Sequence, residues 1–112
     1  MLEYAQNIGG NTVSVFRLAQ EEEYSSEHFV PKFIHSSDKL RVVLICIDSG
    51  QELPAHTAPE ATLHVLRGQG TITVGEEEVP VQEGTLVVVP SGVSHAIRCQ
   101  ERMALLATIT NE

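Results

Sequence analysis

The 112-residue sequence predicts an all-β fold, a single small sandwich or barrel that spans residues 1–112 and has almost no helix. About nine or ten short apolar runs, rich in Val, Ile, Leu and Thr, recur at intervals of about ten residues and are separated by Gly, Pro, Asn and Asp. No long segment carries the 3.6-residue apolar period of an amphipathic helix. The chain is long enough to bury one core without disulfides.

Composition excludes several classes of partner. The net charge is −8, from 15 acidic and 7 basic residues, so the chain lacks the basic surface that nucleic acid or an anionic membrane would require. No apolar run approaches the roughly 20 residues of a membrane-spanning helix, and the first ten residues do not resemble a signal peptide. Cys46 and Cys99 lie in apolar runs, which predicts buried, reduced thiols and a cytoplasmic protein. A disulfide or a reactive thiol remains the alternative.

The strands are predicted from alternation and turn signals. Residues 1–11 form a loose lead-in, and the acidic stretch 20–28 forms a loop or a single helical turn. Residues 40–48 are almost continuously apolar, which predicts burial of both faces of that strand, one against the core and one against something else, such as a second subunit. The predicted strands are 12–18, 29–34, 40–48, 61–67, 71–74, 78–81, 85–89, 95–99 and 103–110.

Two segments, 50–70 and 84–99, each place one histidine beside a predicted strand and next to Gly or Pro. Barrel closure can bring His56 and His95 together although they are far apart in the sequence. Imidazole is a common ligand of Fe, Ni and Zn and can also act as an acid or a base near neutral pH. Two imidazoles alone hold a transition metal weakly, because a catalytic metal site typically uses three protein ligands.

The spacing in these segments resembles the two motifs of the cupin superfamily, small conserved-barrel proteins. The first motif is matched only in part, and the second is matched completely as far as its histidine. The resemblance implies a double-stranded β-helix, a jelly-roll barrel that is often a homodimer, with a divalent metal such as Fe, Mn, Ni or Zn at its mouth. The matching residues are Gly50, His56 and Gly68 in the first motif, and Gly84, Pro90, Gly92 and His95 in the second.

The departures from the family pattern concern the metal ligands. Ala58 stands where the family has a second histidine, Ala61 where it has its acidic ligand, and Cys99 where the second motif ends in Asn. Only His56 and His95 can be carried over. Glu60 could complete a two-histidine, one-carboxylate set for non-haem iron. Against this, Pro59 restricts the backbone, and strand alternation would direct Glu60 away from the face that Ala61 occupies.

The same alternation separates the neighbours of Ala61. Leu63 and Val65 are expected to face the barrel interior and to line a ligand pocket, whereas His64 points outwards as a packing or interface residue. His28 and His35 precede both motifs and are interpreted as surface residues, although either could reach a site across a dimer.

Two functions stay open at this point. One is a cupin-like protein that binds a small molecule in an apolar barrel with a polar mouth, with weak or altered metal binding. The other is a metal-dependent enzyme of oxygenase or isomerase type, in which His56, His95 and Glu60 would hold the metal. A purely structural role through dimerisation is a third reading. The sequence does not identify a substrate, and whether the protein is an enzyme is left undecided.

Overall fold

A computed structural model describes residues 4–111 and confirms the all-β fold. One short helix, α1 (Leu18–Glu21), begins before the acidic stretch 20–28, for which a loop or a single helical turn was predicted, and overlaps it at residues 20 and 21. The strands are β1 (Tyr4–Ile8), β2 (Asn11–Val15), β3 (Val30–Ser36), β4 (Leu40–Ile47), β5 (Glu52–His56), β6 (Ala61–Val74), β7 (Glu77–Gln82), β8 (Leu86–Val89) and β9 (His95–Thr110).

Two antiparallel layers form the barrel, and β6 and β9 contribute to both. In the first layer, residues 103–110 of β9 pair with β4, residues 104–109 pair with the start of β6, and β3 and β8 are the outer strands. In the second layer, residues 95–101 of β9 pair with the end of β6, with β5 on one side and β7 on the other. The two longest strands therefore cross from one layer to the other.

The core lies between these layers and takes side chains from both. Its members are aliphatic or sulfur-containing residues, none more than 8% exposed. Burial of such side chains is the main favourable term in folding. The core residues are Val43, Ile45, Ile47, Leu53, Leu63, Val65, Ile72, Val81, Val89, Ile97, Cys99, Met103, Leu105 and Ala107.

The crossing of β6 and β9 requires glycine at position 68. Gly68 has φ +85°, a left-handed conformation that side chains rarely adopt. A Cβ at this position would overlap the backbone carbonyl of Arg102. The register between the two strands shifts three times between Val65 and Gly70, which lets both strands bend without ending. The predicted strands 61–67 and 71–74 are therefore a single strand, β6. The predicted strands 95–99 and 103–110 are likewise a single strand, β9.

Both faces of β4 are buried, as predicted, and residues of the same chain contribute to covering the outer face. Leu44 and Cys46 pack there against Tyr24, Val30, Ile34 and Leu66. The guanidinium of Arg102 lies 4.2 Å above the Tyr24 ring and donates to both carboxylate oxygens of Asp48, at 3.2 and 3.0 Å. These contacts fasten the segment before β3 against the barrel.

The prediction of a loose lead-in over residues 1–11 was wrong for the described residues. Tyr4–Ile8 and Asn11–Val15 pair as an antiparallel hairpin, with Gly9 and Gly10 at the turn. Nearly every residue of β1 is exposed, so a pattern based on burial did not reveal this strand. The predicted strand 12–18 overlaps β2, but β2 ends at Val15, and Leu18 begins α1 instead. Residues 1–3 of the predicted lead-in lie outside the described part of the chain. Among residues 4–111, no helix is long and apolar enough to cross a membrane.

Candidate functional site

The histidine pair lies where β5 ends and β9 begins. His56 is the last residue of β5 and His95 the first of β9, and the two are cross-strand partners. Sequence reasoning placed both beside strands but missed β5 itself, because its sequence, ELPAH, contains a proline and little apolar alternation. The ring centroids are 4.3 Å apart, with the planes tilted by 55°. The structure thus brings together the two residues that the motifs single out.

Backbone carbonyls orient both rings. The Nδ1 atom of His56 lies 3.0 Å from the carbonyl of Pro54, and that of His95 lies 3.4 Å from the carbonyl of Val93. Because a carbonyl only accepts hydrogen bonds, these contacts assign the proton to Nδ1 in the neutral rings. Nε2 then presents its lone pair, so each ring can accept a hydrogen bond or bind a metal through that atom.

Burial and the neighbouring ring keep His95 neutral. His95 is 4% exposed, whereas His56 is exposed. Burial lowers the pKa of His95 below its ordinary value, and the nearby charge that His56 can carry lowers the pKa further. The two imidazoles therefore differ: one is fixed and uncharged, and the other is open to solvent.

An apolar cavity that is wide open to solvent adjoins the exposed ring. Its volume is about 350 Å³, and it is lined by Phe29, Leu53, Pro54, Ala55 and His56. Sequence reasoning did not identify Phe29 or Leu53 as site residues. Phe29 comes from the segment before β3 and packs against the barrel core, a long-range contact that no local pattern reveals.

The predicted ligand pocket around Leu63 and Val65 coincides with the packed core. Both side chains face the interior as expected, with exposed fractions of 2% and 0%, and both belong to the core cluster. The cavity beside His56 is lined by other residues.

Glu60 does not join the histidine pair. Among residues 4–111, no group of three or more His, Cys, Asp or Glu side chains is placed to hold a metal ion. Glu60 is exposed and immediately precedes β6, and its carbonyl accepts hydrogen bonds from the backbone and hydroxyl of Thr110. These bonds hold the backbone at the strand entrance, with Ala61 rather than Glu60 on the interior face. The donor set does not fit a tightly held catalytic metal.

The other histidines lie away from the pair. His64 is exposed on the outer face of β6, as alternation predicted, opposite Leu86 and Leu106. His28 is exposed, and its Nδ1 lies 2.8 Å from the carbonyl of Phe29. His35 is exposed on β3 and lines a separate groove beside the β1–β2 hairpin.

The motif glycines shape the loops around the site. The glycines at positions 50, 68, 84 and 92 all have positive φ, which accounts for their spacing in the sequence. Gly92 also donates its backbone N–H to the carbonyl of Ala58, at 2.9 Å. The turn that begins at Pro90 is thereby tied to the loop that follows His56, so the two motifs meet through backbone groups as well as through the histidines.

Comparison with known proteins identifies relatives over most of the chain. The chain is 27% identical to a conserved protein of unknown function from Streptococcus pyogenes, with a TM-score of 0.79 over 99% of this chain and 96% of that one. It is also 27% identical to an RmlC-like cupin protein from Desulfovibrio desulfuricans, with a TM-score of 0.81 over 88% of this chain and 96% of that one.

A third solved structure is a cupin 2 conserved barrel domain protein from Leptotrichia buccalis. It is 28% identical, with a TM-score of 0.80 over 86% of this chain and 47% of that one. The comparison with curated proteins found no match. A model of the cupin domain family matches residues 33–109. Since that match spans more than half of the sequence, the chain belongs to the cupin family.

Proposed function

We propose that the protein binds a small molecule at the barrel mouth, using His56, His95 and the apolar cavity beside them. The observation that carries the proposal is the pair of tilted imidazoles, 4.3 Å apart, whose Nδ1 atoms lie on backbone carbonyls and whose Nε2 atoms have no hydrogen-bond partner among residues 4–111. Preoriented polar groups beside a concave apolar surface are typical of a small-molecule site.

The cavity suits an apolar part of such a molecule. Phe29, Leu53, Pro54 and Ala55 supply its wall, and His56 supplies its polar edge. A ligand that fills this wall and donates a hydrogen bond to an imidazole Nε2 would use both features. The neutral state of His95 favours this arrangement, since a protonated ring could only donate.

Metal binding enters the proposal as weak binding only. The two free Nε2 atoms could hold Zn²⁺, Ni²⁺, Fe²⁺ or Mn²⁺, but a third protein ligand is not assembled among residues 4–111. Removal of one ligand from a three-ligand set sharply weakens a divalent site. A metal-dependent enzyme built on His56, His95 and Glu60 is therefore the less favoured function.

Histidine-resolved NMR tests the proposal directly. Carbon–proton spectra of the imidazole Cε1–H groups are recorded while a library of small aromatic and aliphatic compounds is added. Binding compounds are expected to shift the signals of His56 and His95, and His56→Ala is expected to weaken their binding by about ten-fold. His64→Ala is the matched control, because it removes an exposed histidine from the outer face of β6.

The outcomes separate the two functions. Compounds that shift His64 as strongly as His56, or a library without any binder at the pair, would refute the proposal. Elemental analysis of protein purified without a histidine tag is expected to give less than one metal ion per chain. Stoichiometric metal that disappears in His56→Ala would instead support the metal-dependent enzyme.

We further propose that the protein is a homodimer in which the β1–β2 hairpin contacts the second copy. An isolated two-stranded hairpin is only marginally stable in water, yet this one exposes Tyr4, Ile8 and Val13, by 44%, 55% and 36%. Residues 4–16 carry no ionisable group apart from the Tyr4 hydroxyl, in a chain of net charge −8. Two acidic copies can meet at such a surface without repulsion between like charges.

Light scattering tests this assembly. The wild type is expected to be a dimer at micromolar concentration, and Val13→Glu is expected to shift it towards monomer by placing a charge in the hairpin. Val88→Glu, at a 56% exposed position on β8, is the control and should remain dimeric. A monomeric wild type would remove the proposal.

A further inference from the structure

An arginine side chain occupies the interior face of the barrel at its open end. Along β4, Val43, Ile45 and Ile47 point into the core, and Arg41 shares their alternation. The pairing of β4 with β9 is continuous from Leu40 to Ile47, without a bulge. Arg41 therefore faces the interior. It lies two residues before Val43, the core residue of β4 that is nearest to it.

The Nε atom of Arg41 is buried and finds no hydrogen-bond partner in the described part of the chain. The ion pairs among residues 4–111 use other cations, namely Lys32, Arg67, Arg98 and Arg102. A buried charged donor without a partner is costly, and native structures rarely leave one unexplained. A ligand that accepts a hydrogen bond would satisfy it.

Strand pairing places this arginine at the same end of the barrel as the histidine pair. His56 ends β5, and residues 57–60 lead directly into Ala61 at the start of β6. Ala61 pairs with Ile109 on β9, and Ile109 pairs in turn with Arg41 on β4. Two strand spacings separate Ala61 from Arg41, about 10 Å between their backbones. Ala61 presents only a methyl group on the interior face, and Ile109, which lies between the two residues on that face, is partly buried against the core.

We infer that Arg41 binds the carboxylate of the small molecule accepted at the barrel mouth. The inference rests on the proposed function and adds the chemical class of the ligand, a small carboxylic acid. A guanidinium offers parallel N–H donors that match the two oxygens of a carboxylate. Such a site differs from a metal site, because Arg41 places a positive charge on the interior face, and a positive charge attracts a carboxylate and repels a metal cation.

The two ends of the ligand then have distinct chemistry. The carboxylate accepts from Arg41, whereas the free Nε2 atoms of His56 and His95 accept from the ligand. The ligand must therefore also carry a donor, such as a hydroxyl group, apart from its carboxylate. An apolar or aromatic body between these groups would contact Ile109, the cross-strand partner of Arg41 on the interior face.

The test compares 4-hydroxybenzoate with 4-hydroxybenzamide, two probes of the same shape that differ in charge. Isothermal titration of the wild type is expected to show about 10- to 100-fold tighter binding of the acid. Arg41→Gln is expected to abolish this preference and to leave binding of the amide unchanged. Arg98→Gln is the matched control, because Arg98 is exposed and pairs with Glu78; it should keep the wild-type preference.

A second measurement does not depend on whether Arg41→Gln folds. The Nε–H signal of Arg41, assigned through Arg41→Lys, is expected to move in the wild type when the acid is added and to stay when the amide is added. A preference for the acid that persists in Arg41→Gln, or an Arg41 signal that ignores the acid, would overturn the inference. Failure of the wild type to bind the acid would also overturn it, while shifts of His56 and His95 with other compounds would leave the proposed function intact.

Discussion

The crossing of β6 and β9 and the mouth of the barrel use family-typical positions in different ways. At the crossing, any side chain at position 68 would overlap the backbone carbonyl of Arg102. At the mouth, Ala58 and Ala61 replace residues that the family uses as ligands, and the strands still pair through Ala61 without interruption. Positions that the backbone requires are retained, whereas positions that supply chemistry can change without loss of the fold.

Substitution at the crossing should have the largest effect. Gly68→Ala combines a left-handed backbone with overlap of the new Cβ and the Arg102 carbonyl, and we expect a loss of about 3–5 kcal/mol in the free energy of unfolding. Urea denaturation measures it. Gly84→Ala is the control: its φ is +89°, but nothing lies within 4 Å of the added Cβ, so about 1–2 kcal/mol is expected. Equal losses would show that overlap at the crossing does not matter.

The same contrast explains what the sequence could predict. The spacing of Gly84, Pro90 and Gly92 reports turn geometry that is local, so the barrel and the position of His95 beside a strand followed from it. The continuity of β6 through Gly68 did not follow, because it depends on register shifts against β9, a strand far away in the sequence. The positions of Phe29 and Arg41 could not be predicted for the same reason, since long-range packing and strand pairing set them.

Ala61→Glu tests whether the mouth lacks only one ligand. The carboxylate would lie on the interior face at the start of β6, where the family's acidic ligand is expected. We expect about ten-fold or tighter Ni²⁺ binding than in the wild type, with a loss of about 1–3 kcal/mol in metal-free stability from burial of the carboxylate. Calorimetry and urea denaturation measure these changes. Thr62→Glu, which directs the carboxylate to the opposite face, should not gain affinity; an equal gain would argue for nonspecific binding to acidic groups.

The buried histidine should make stability depend on pH. Because the folded-state pKa of His95 is lowered, the unfolded chain binds its proton more readily. The contribution of His95 is fully present above its ordinary pKa of about 6.5 and is lost as pH falls towards the lower folded pKa. Between pH 7.5 and 5.5 we expect the wild type to lose up to about 1 kcal/mol more than His95→Gln. His64→Gln should follow the wild type, and identical profiles for all three would contradict the burial of a neutral His95.

The smallest effect is expected at the exposed ring. His56→Ala should change the free energy of unfolding by less than about 0.5 kcal/mol, because the side chain is exposed at the end of a strand. The same substitution should raise the pKa of His95, since the charge that His56 can carry contributes to lowering it. NMR titration of His95 measures this shift, with His64→Ala as the variant that should leave it unchanged. A pKa of His95 that does not respond to His56→Ala would mean that the two rings do not interact in solution as they do at 4.3 Å in the structure.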